Sequence, residues 1–315
     1  MKFPPIDPTR VVTYPLGQRK NIVATEVLGS PWQAGNSLRT FFDRLPRALA
    51  AADLREIVRD IVTAVQRQRP VVLGMGAHPL KVGLSPLIID LLERGIVSAV
   101  AMNGACIIHD FELAYQGETS EDVAEALKDG RFGMARETGE FLNTAIRVGV
   151  TQAGIGIGQA VGAHIHNAGF PYGHLSILAA CARLETPACV HVAVGTDIIH
   201  MHPQADGAAI GEGSLRDFHL LTAVVSQLEG GVFINMGSAV IIPEVFLKAL
   251  SLARNLGHTV SAFTTVDLDF VRQYRPAVNV LTRPVQQGGR GFHLTGHHEI
   301  MFPLLCALVI ESLSD

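Results

Sequence analysis

A buried parallel strand that runs into a glycine turn is predicted at residues 71–78, which read Val71-Val72-Leu73-Gly74-Met75-Gly76-Ala77-His78. A helical pattern follows from Ser85 and closes at Gly95. A second strand is predicted from Val97 to Met102, and it ends in Asn103-Gly104. A strand, a helix and another strand in this order are typical of a right-handed βαβ unit in a parallel sheet.

Strand and helix patterns continue to alternate along the rest of the chain. Further strands are predicted at 188–194, 231–235, 258–264 and 292–295. Helices are predicted at 37–68 (two helices that break near Pro46), 173–184, 214–229, 243–256 and 302–313. Ser214 and Asp217 form a capping box at the start of one of them. These patterns predict an α/β fold with a doubly wound, mostly parallel, Rossmann-like sheet.

The chain is predicted to have two unequal parts. Residues 1–40 read as a Pro-rich N-terminal arm, and residues 41–315 read as a single Rossmann-like α/β domain. With 48% hydrophobic and 17% charged residues, the chain has ample material for a deep core. The net charge is −4 and no basic block interleaves with aromatics, so nucleic acid is not an expected partner. Apolar stretches fall short of the roughly 20 residues of a membrane helix, and a cytoplasmic protein is expected.

The predicted strand tips carry small residues. In an open parallel sheet, ligands bind beyond the carboxyl ends of the strands, and small residues let backbone approach a ligand. No complete GxGxxG or Walker A motif occurs, but the recurrence of small residues indicates a nucleotide site. The candidate cofactor-binding residues at these tips are Gly74, Gly76, Ala77, Asn103, Gly104, Gly237, Ser238, Thr264 and Thr265.

Several of these stretches resemble successive segments of deoxyhypusine synthase. The matching stretches are 71–78, 97–110, 211–217, 235–240 and 296–305, in the same order as in that family. The most specific are Gly213-Ser214-Leu215-x-Asp217 and Phe302-Pro303-Leu304-Leu305. The resemblance implies a Rossmann-like NAD-binding fold and a homotetramer built from dimers, with active sites at the subunit interface.

The resemblance also implies roles for particular residues. Family positions that contact NAD fall on the glycine turns, on Thr264 and Thr265, on Glu212 (where the family has an aspartate) and on the position of His297. Asp217 falls on a family carboxylate that holds the polyamine, so a small cationic substrate is expected.

One departure from the family concerns its catalytic lysine. That lysine is expected near residues 282–284, but the segment Val280 to Gly288 contains Arg283 and no lysine. No lysine follows Lys248. Because a guanidinium stays protonated, arginine cannot form the imine that the family mechanism needs. Deoxyhypusine synthesis is therefore not expected.

A histidine-rich segment stands between the third predicted strand and the capping box. His200 and His202 form an HxH pair, and an extended turn would point both rings to one side. Such a pair suits proton transfer or a metal, and Asp197 could orient one ring. The alternative is that these histidines only satisfy loop or interface contacts. A bound divalent metal is an open alternative and is not predicted.

The sequence thus favours an NAD-dependent enzyme, of transferase or oxidoreductase type, that acts on a small amine or amino acid without a covalent lysine imine. NAD would lie across the glycine turns, and Asp217 or Glu212 would anchor the cationic substrate. His200, His202 or His297 would accept the proton, since the ordinary pKa of histidine suits a base near neutral pH. The alternatives are a metal-dependent hydrolase or a non-catalytic binding protein on the same fold.

Overall fold

Six strands form one sheet in which every described pairing is parallel. The computed structural model describes residues 2–314, so residues 1 and 315, the outer limits of the predicted arm and domain, lie outside the described range. The strands are β1 Val71–Met75, β2 Ala99–Asn103, β3 Ala188–His191, β4 Val232–Met236, β5 Thr264–Asp269 and β6 Arg290–Thr295. Their order across the sheet is β3-β2-β1-β4-β5-β6, the order of dinucleotide-binding folds. The predicted doubly wound, parallel, Rossmann-like α/β fold is confirmed.

Helices cover both faces of this sheet. In chain order they are α1 Leu38–Arg44, α2 Leu49–Gln66, α3 His78–Lys81, α4 Ser85–Glu93, α5 Gly104–Gln116, α6 Val123–Ala126, α7 Arg136–Val148, α8 Ile157–Ala168, α9 Ile177–Arg183, α10 Gly207–Val225, α11 Ile241–Asn255, α12 Tyr274–Asn279 and α13 His298–Leu313. Among the helices within residues 2–314, none has the length and apolar character needed to cross a bilayer.

The core consists of two apolar layers, one on each face of the sheet. Leu73 and Ile234 pack on the side of α2, α4 and α13, whereas Val72 and Phe233 pack on the side of α10 and α11. The rings of Phe233 and Phe246 stack with centroids 3.8 Å apart. Every residue of β1 is buried, as expected for a central parallel strand that is covered on both faces.

The fifth strand lies later in the chain than predicted. The sequence pattern indicated a strand at 258–264, but β5 runs from Thr264 to Asp269. Its polar side chains have partners inside the fold: the Thr265 hydroxyl donates to the Val280 carbonyl at 2.9 Å, and Asp267 accepts from the Asn235 amide at 2.7 Å. Thr264 and Thr265 therefore lie at the amino end of β5, at the sheet edge opposite to the expected cofactor site.

The capping box predicted at Ser214 and Asp217 is also wrong. Helix α10 begins seven residues earlier, at Gly207, and Asp206 caps it by accepting from the backbone N–H groups of Ala208 and Ala209 at 3.0 and 3.1 Å. Ser214 lies inside the helix, where its hydroxyl donates to the Val190 carbonyl at 3.3 Å.

The segment before α1 contributes nothing to the core. Residues 2–36 form short 3-10 turns separated by extended chain, and none of them is buried. Apolar side chains such as Ile6, Val12 and Ile22 are more than 90% exposed. The division into an arm and a single domain stays a prediction.

Candidate functional site

An exposed group of aromatic rings lies beyond the carboxyl ends of β1, β5 and β6. We call His78, Phe270 and His297 the aromatic platform. The rings of Phe270 and His297 are nearly parallel, at 10°, with centroids 6.2 Å apart, and His78 lies 6.4 Å from Phe270. Phe270 is 53% exposed and the His297 side chain is 69% exposed. Because about half or more of each of these two side chains is exposed, the rings can contact a planar ligand.

His298 lies buried beside the platform. Its Nε2 donates to the Leu268 carbonyl at 2.9 Å, and its ring centroid is 5.3 Å from that of His78. The ring also packs on Gly237, which has a φ of +65°. A Cβ at Gly237 would lie 2.8 Å from the His298 ring, so this turn requires glycine for two reasons.

Internal packing explains the other glycines at the strand tips. A Cβ at Gly74 would lie 2.6 Å from Ile242, and one at Gly76 would lie 2.5 Å from the Gly237 carbonyl oxygen. A Cβ at Gly104 would lie 2.0 Å from an oxygen of Asp197. Since the protein itself fills these spaces, the recurrence of glycine does not by itself indicate a cofactor.

The remaining residues predicted at these tips begin helices. Asn103 precedes α5, and its side-chain oxygen lies 3.1 Å from the Cys106 thiol. The Ser238 hydroxyl accepts from the Ile242 N–H at 3.2 Å at the start of α11. Ala77 is half-buried and precedes α3.

A pocket of ≈ 160 Å³ opens beyond β2 and β3. Its charged and titratable lining residues are Lys81, His109, Glu112, Glu121 and Asp197. We call this cavity the carboxylate pocket. Helix α3 connects it to the aromatic platform, because His78 is the first residue of that helix and Lys81 is its last. The two features are therefore about one helical turn apart along the chain.

His109 and Glu112 are held in the carboxylate pocket by threonine side chains. His109 Nδ1 lies 2.7 Å from the Thr119 hydroxyl, which donates to Glu112 at 2.6 Å. Thr138 donates to the other oxygen of Glu112 at 3.1 Å. Burial, and secondarily the charge of Lys81, lowers the pKa of His109 to about 4, so this imidazole is neutral at pH 7.

Asp197 places a carboxylate at the start of α5. Burial raises its pKa to about 6, and Oδ2 has no hydrogen-bond partner among the described residues. The adjacent His200 accepts two backbone N–H groups at Nδ1, from Gly195 at 3.1 Å and from Asp197 at 3.3 Å. Burial lowers the pKa of His200.

The structure does not bring the predicted catalytic residues together. His202 donates from Nε2 to the Gly133 carbonyl at 2.8 Å, and its ring packs on Gly139. Asp217 is 1% exposed and accepts from the N–H groups of Gly158 and Val190 at 2.9 and 2.8 Å. Four residues were predicted as catalytic, and all four lie outside the lining of the carboxylate pocket: His200, His202, Asp217 and His297.

Glu212 was predicted to contact the cofactor, and a bound metal was left as an open alternative. Glu212 lies on the exposed surface of α10, where it pairs with Arg216 at 2.7 Å. Across residues 2–314, no three His, Cys, Asp or Glu side chains are grouped in a way that could hold a metal ion.

Sequence reasoning named Asp197 but missed His109, Glu112 and Glu121, which line the same carboxylate pocket. His109 and Glu112 are three residues apart on α5 and so lie on one face, directly after the tip of β2. That spacing was the available signal. Thr119 gave no such signal, since its role depends on the chain folding back over α5 after Gly117.

Solved structures share this fold at low sequence identity. No protein-family model and no curated protein matches the sequence. AgrE in complex with ornithine and NAD⁺ is 15% identical with a TM-score of 0.55, over 84% of this chain and 34% of that one. ArgZ, an arginine dihydrolase from the ornithine-ammonia cycle in cyanobacteria, is 15% identical with a TM-score of 0.52, over 85% of this chain and 34% of that one. The chain thus spans about a third of the length of each of these proteins.

A further likeness covers almost the whole of both chains. A proposed deoxyhypusine synthase from Entamoeba histolytica is 11% identical with a TM-score of 0.51, over 90% of this chain and 96% of that one. The resemblance to deoxyhypusine synthase is therefore confirmed as a likeness of fold.

Proposed function

We propose that this chain is an NAD-dependent enzyme that acts on a small amine or amino acid without forming a lysine imine. The observation that carries the proposal is the placement of the carboxylate pocket next to the aromatic platform. Both lie at the carboxyl edge of a sheet whose strand order reverses between β1 and β4. Dinucleotides usually bind at this kind of reversal. The similarity in fold to AgrE, which was solved with ornithine and NAD⁺, supports the same choice.

The aromatic platform fits the planar rings of NAD. The side chains of Phe270 and His297 are largely exposed, and His78 extends this surface toward β1. When bound, NAD⁺ would supply a hydride acceptor. The platform would hold one of its rings by stacking, and the glycine turns would support the platform from beneath.

The carboxylate pocket fits a small cationic or zwitterionic substrate. Glu112, Glu121 and Asp197 give it three carboxyl groups, against one lysine. Glu121 is fixed by the Gly133 N–H at 2.9 Å. Carboxylates attract an ammonium group, and Lys81 can pair with the carboxylate of an amino acid. These residues replace Asp217 and Glu212 as the proposed anchors of the substrate.

Binding of NAD⁺ by titration calorimetry tests the role of the platform. We expect Phe270→Ala to weaken binding about fivefold, because an aromatic contact contributes on the order of 1 kcal/mol. The matched control is Val271→Ala, which removes an exposed neighbouring side chain outside the platform. Absence of NAD⁺ binding by the wild type, or an equal loss in both variants, would contradict the proposal.

Turnover tests the substrate class. With NAD⁺ present, addition of L-ornithine or 1,4-diaminobutane should produce the fluorescence of reduced cofactor. Borohydride treatment during turnover should leave no substrate attached to Lys81. A covalent adduct there would refute the absence of an imine, and hydrolysis that requires a stoichiometric metal would favour the hydrolase instead.

A further inference from the structure

His109, Thr119 and Glu112 form a chain of hydrogen bonds that fixes the protonation of one histidine. An ionised carboxylate can only accept, so the Thr119 hydroxyl must donate to Glu112. The same hydroxyl has a single proton and can therefore only accept from His109. The neutral His109 ring then carries its proton on Nδ1, and its Nε2 is an unprotonated acceptor.

Thr119 and Glu112 hold this arrangement firmly. Both oxygens of Glu112 are engaged, one by Thr119 and the other by the buried Thr138 of α7. Glu112 and His109 lie on the same helix, so their spacing is set by the backbone of α5. A base oriented by a second group, which is itself oriented by a third, is the general arrangement of an activated catalytic histidine.

Three other histidines near this sheet edge, His200, His202 and His298, are not free in the same way. His200 accepts two backbone N–H groups at Nδ1, so its neutral ring is protonated on Nε2 and has no free acceptor. His202 and His298 each donate from Nε2 to a carbonyl, and the Nδ1 of His298 is buried. Of these four histidines, His109 is the one that lines the carboxylate pocket.

We propose that His109 is the catalytic base of the carboxylate pocket and that Nε2 accepts a proton from the ammonium group of the substrate. One N–H bond of the ammonium breaks, its proton moves to Nε2, and the electron pair stays on the substrate nitrogen. Nothing is oxidised in this step. The freed lone pair is what the nitrogen needs to form a carbon–nitrogen double bond as hydride leaves the adjacent carbon. The identity of the substrate rests on the proposed function, whereas the state of the histidine does not.

Thr119 and Glu112 act as positioning residues in this step. The imidazolium formed on protonation keeps its Nδ1–H bond to Thr119, and Glu112 stabilises the new charge through the hydroxyl. A substrate carboxylate paired with Lys81 would also remove a positive charge that disfavours imidazolium.

The protonation of His109 can be measured by ¹⁵N NMR on histidine-labelled protein, with His109→Gln used to assign the signal. We expect His109 to be an Nδ1–H tautomer at neutral pH. Thr119→Val removes the acceptor with little change in shape and should shift the ring toward the Nε2–H form. Thr119→Ser keeps the hydroxyl and should restore the wild-type tautomer. We call the hydrogen-bonded chain of His109, Thr119 and Glu112 the relay. An Nε2–H tautomer in the wild type, or no change of tautomer in Thr119→Val, would contradict it.

Steady-state kinetics with 1,4-diaminobutane and NAD⁺ complete the test. We expect His109→Gln to lower kcat by at least about a hundredfold, as loss of a general base does, with a much smaller change in KM. Glu125→Gln alters an exposed carboxylate that pairs with Lys128 on the surface, and it should leave kcat unchanged. An unchanged kcat in His109→Gln would overturn the catalytic role. If the Nδ1–H tautomer is found and no amine is oxidised, the proposed function fails while the relay stands.

Discussion

Asp217 is a carboxylate that the fold encloses almost completely. Its Oδ2 accepts two backbone N–H groups, and Oδ1 has no partner among the described residues. A Cβ at Gly156 would lie 1.8 Å from Oδ1, so the chain passes directly over the carboxyl group. Burial raises the pKa of Asp217 to about 7, against the lowering effect of its backbone hydrogen bonds. This residue joins α10 to β3 and α8 and does not reach the carboxylate pocket.

Replacing Asp217 with Asn should change how stability depends on pH. Between pH 3.8, the ordinary pKa, and about pH 7, the folded state binds more protons at this site than the unfolded state. The free energy of unfolding of the wild type therefore falls as pH rises through this window. Asn does not titrate. The free energy of unfolding of Asp217→Asn should therefore rise relative to that of the wild type as pH increases, by up to about 4 kcal/mol above pH 7.

Urea unfolding of both proteins at several pH values measures this difference. Asp129→Asn is the control, because Asp129 is exposed and pairs with Arg131 at the surface. A constant difference between Asp217→Asn and wild type from pH 4 to 8 would show that the carboxyl group does not titrate in this window.

At the scale of single elements, helix α9 depends on two side chains at its first turn. The Ser176 hydroxyl accepts from the Ala179 N–H at 2.9 Å and donates to Asp110. Asp110 accepts in turn from the N–H groups of Ile177 and Leu178, at 2.7 and 3.3 Å. The two residues thus satisfy three N–H groups that a helix start leaves unpaired, and they tie α9 to α5.

Ser176→Ala should destabilise the protein by about 1–2 kcal/mol, because the cap is lost and Asp110 loses a buried donor. The midpoint of urea unfolding measures the effect. Ser226→Ala removes an exposed hydroxyl that bonds locally to the Ala223 carbonyl, and it should change stability by less than about 0.5 kcal/mol. Equal effects of the two substitutions would argue against a capping role for Ser176.

Apolar patterns predicted some elements well and failed where polar side chains are buried. The strand predicted at 231–235 is β4 Val232–Met236, displaced by one residue. In β5 the pattern failed because Asp267 is paired with Asn235 of β4 and with His293 of β6, at 2.7 and 3.0 Å. Three polar residues on neighbouring strands are hydrogen-bonded to one another. The sequence of a single strand does not show which residues it will meet on the strands beside it.

The candidate site was predictable to a similar extent. The sequence pointed to the carboxyl edge of the sheet, where small residues mark the tips of β1, β2 and β4, and a cofactor site there stays a prediction. It did not find the relay, since the contact of Thr119 with His109 arises only when the segment after α5 folds back. It also assigned His202 a chemical role, although the ring is used to hold Gly133 in place.

At the scale of the whole molecule, the N-terminal segment presents apolar side chains without a core of its own. Phe3, Ile6, Val12 and Ile22 are each at least 80% exposed. Toward the end of the segment the chain is hydrogen-bonded to the residues around α1, where the Arg47 N–H donates to the Val27 carbonyl at 3.0 Å. Exposed apolar surface of this kind commonly marks a protein–protein interface. We propose that it packs on a second copy of the chain, within the homotetramer that the resemblance to deoxyhypusine synthase implies.

Deletion of the first 24 residues should therefore separate assembly from folding. Because no described residue of that segment is buried, the free energy of unfolding of the remaining chain should change by less than about 0.5 kcal/mol at low protein concentration. Native mass spectrometry should show a homotetramer for the full chain and fewer subunits for the truncated one. A control with Phe3, Ile6, Val12 and Ile22 changed to Ser should reproduce the loss without shortening the chain. If the full and truncated chains have the same subunit number, the segment takes no part in assembly, and the interface must lie on the α/β domain.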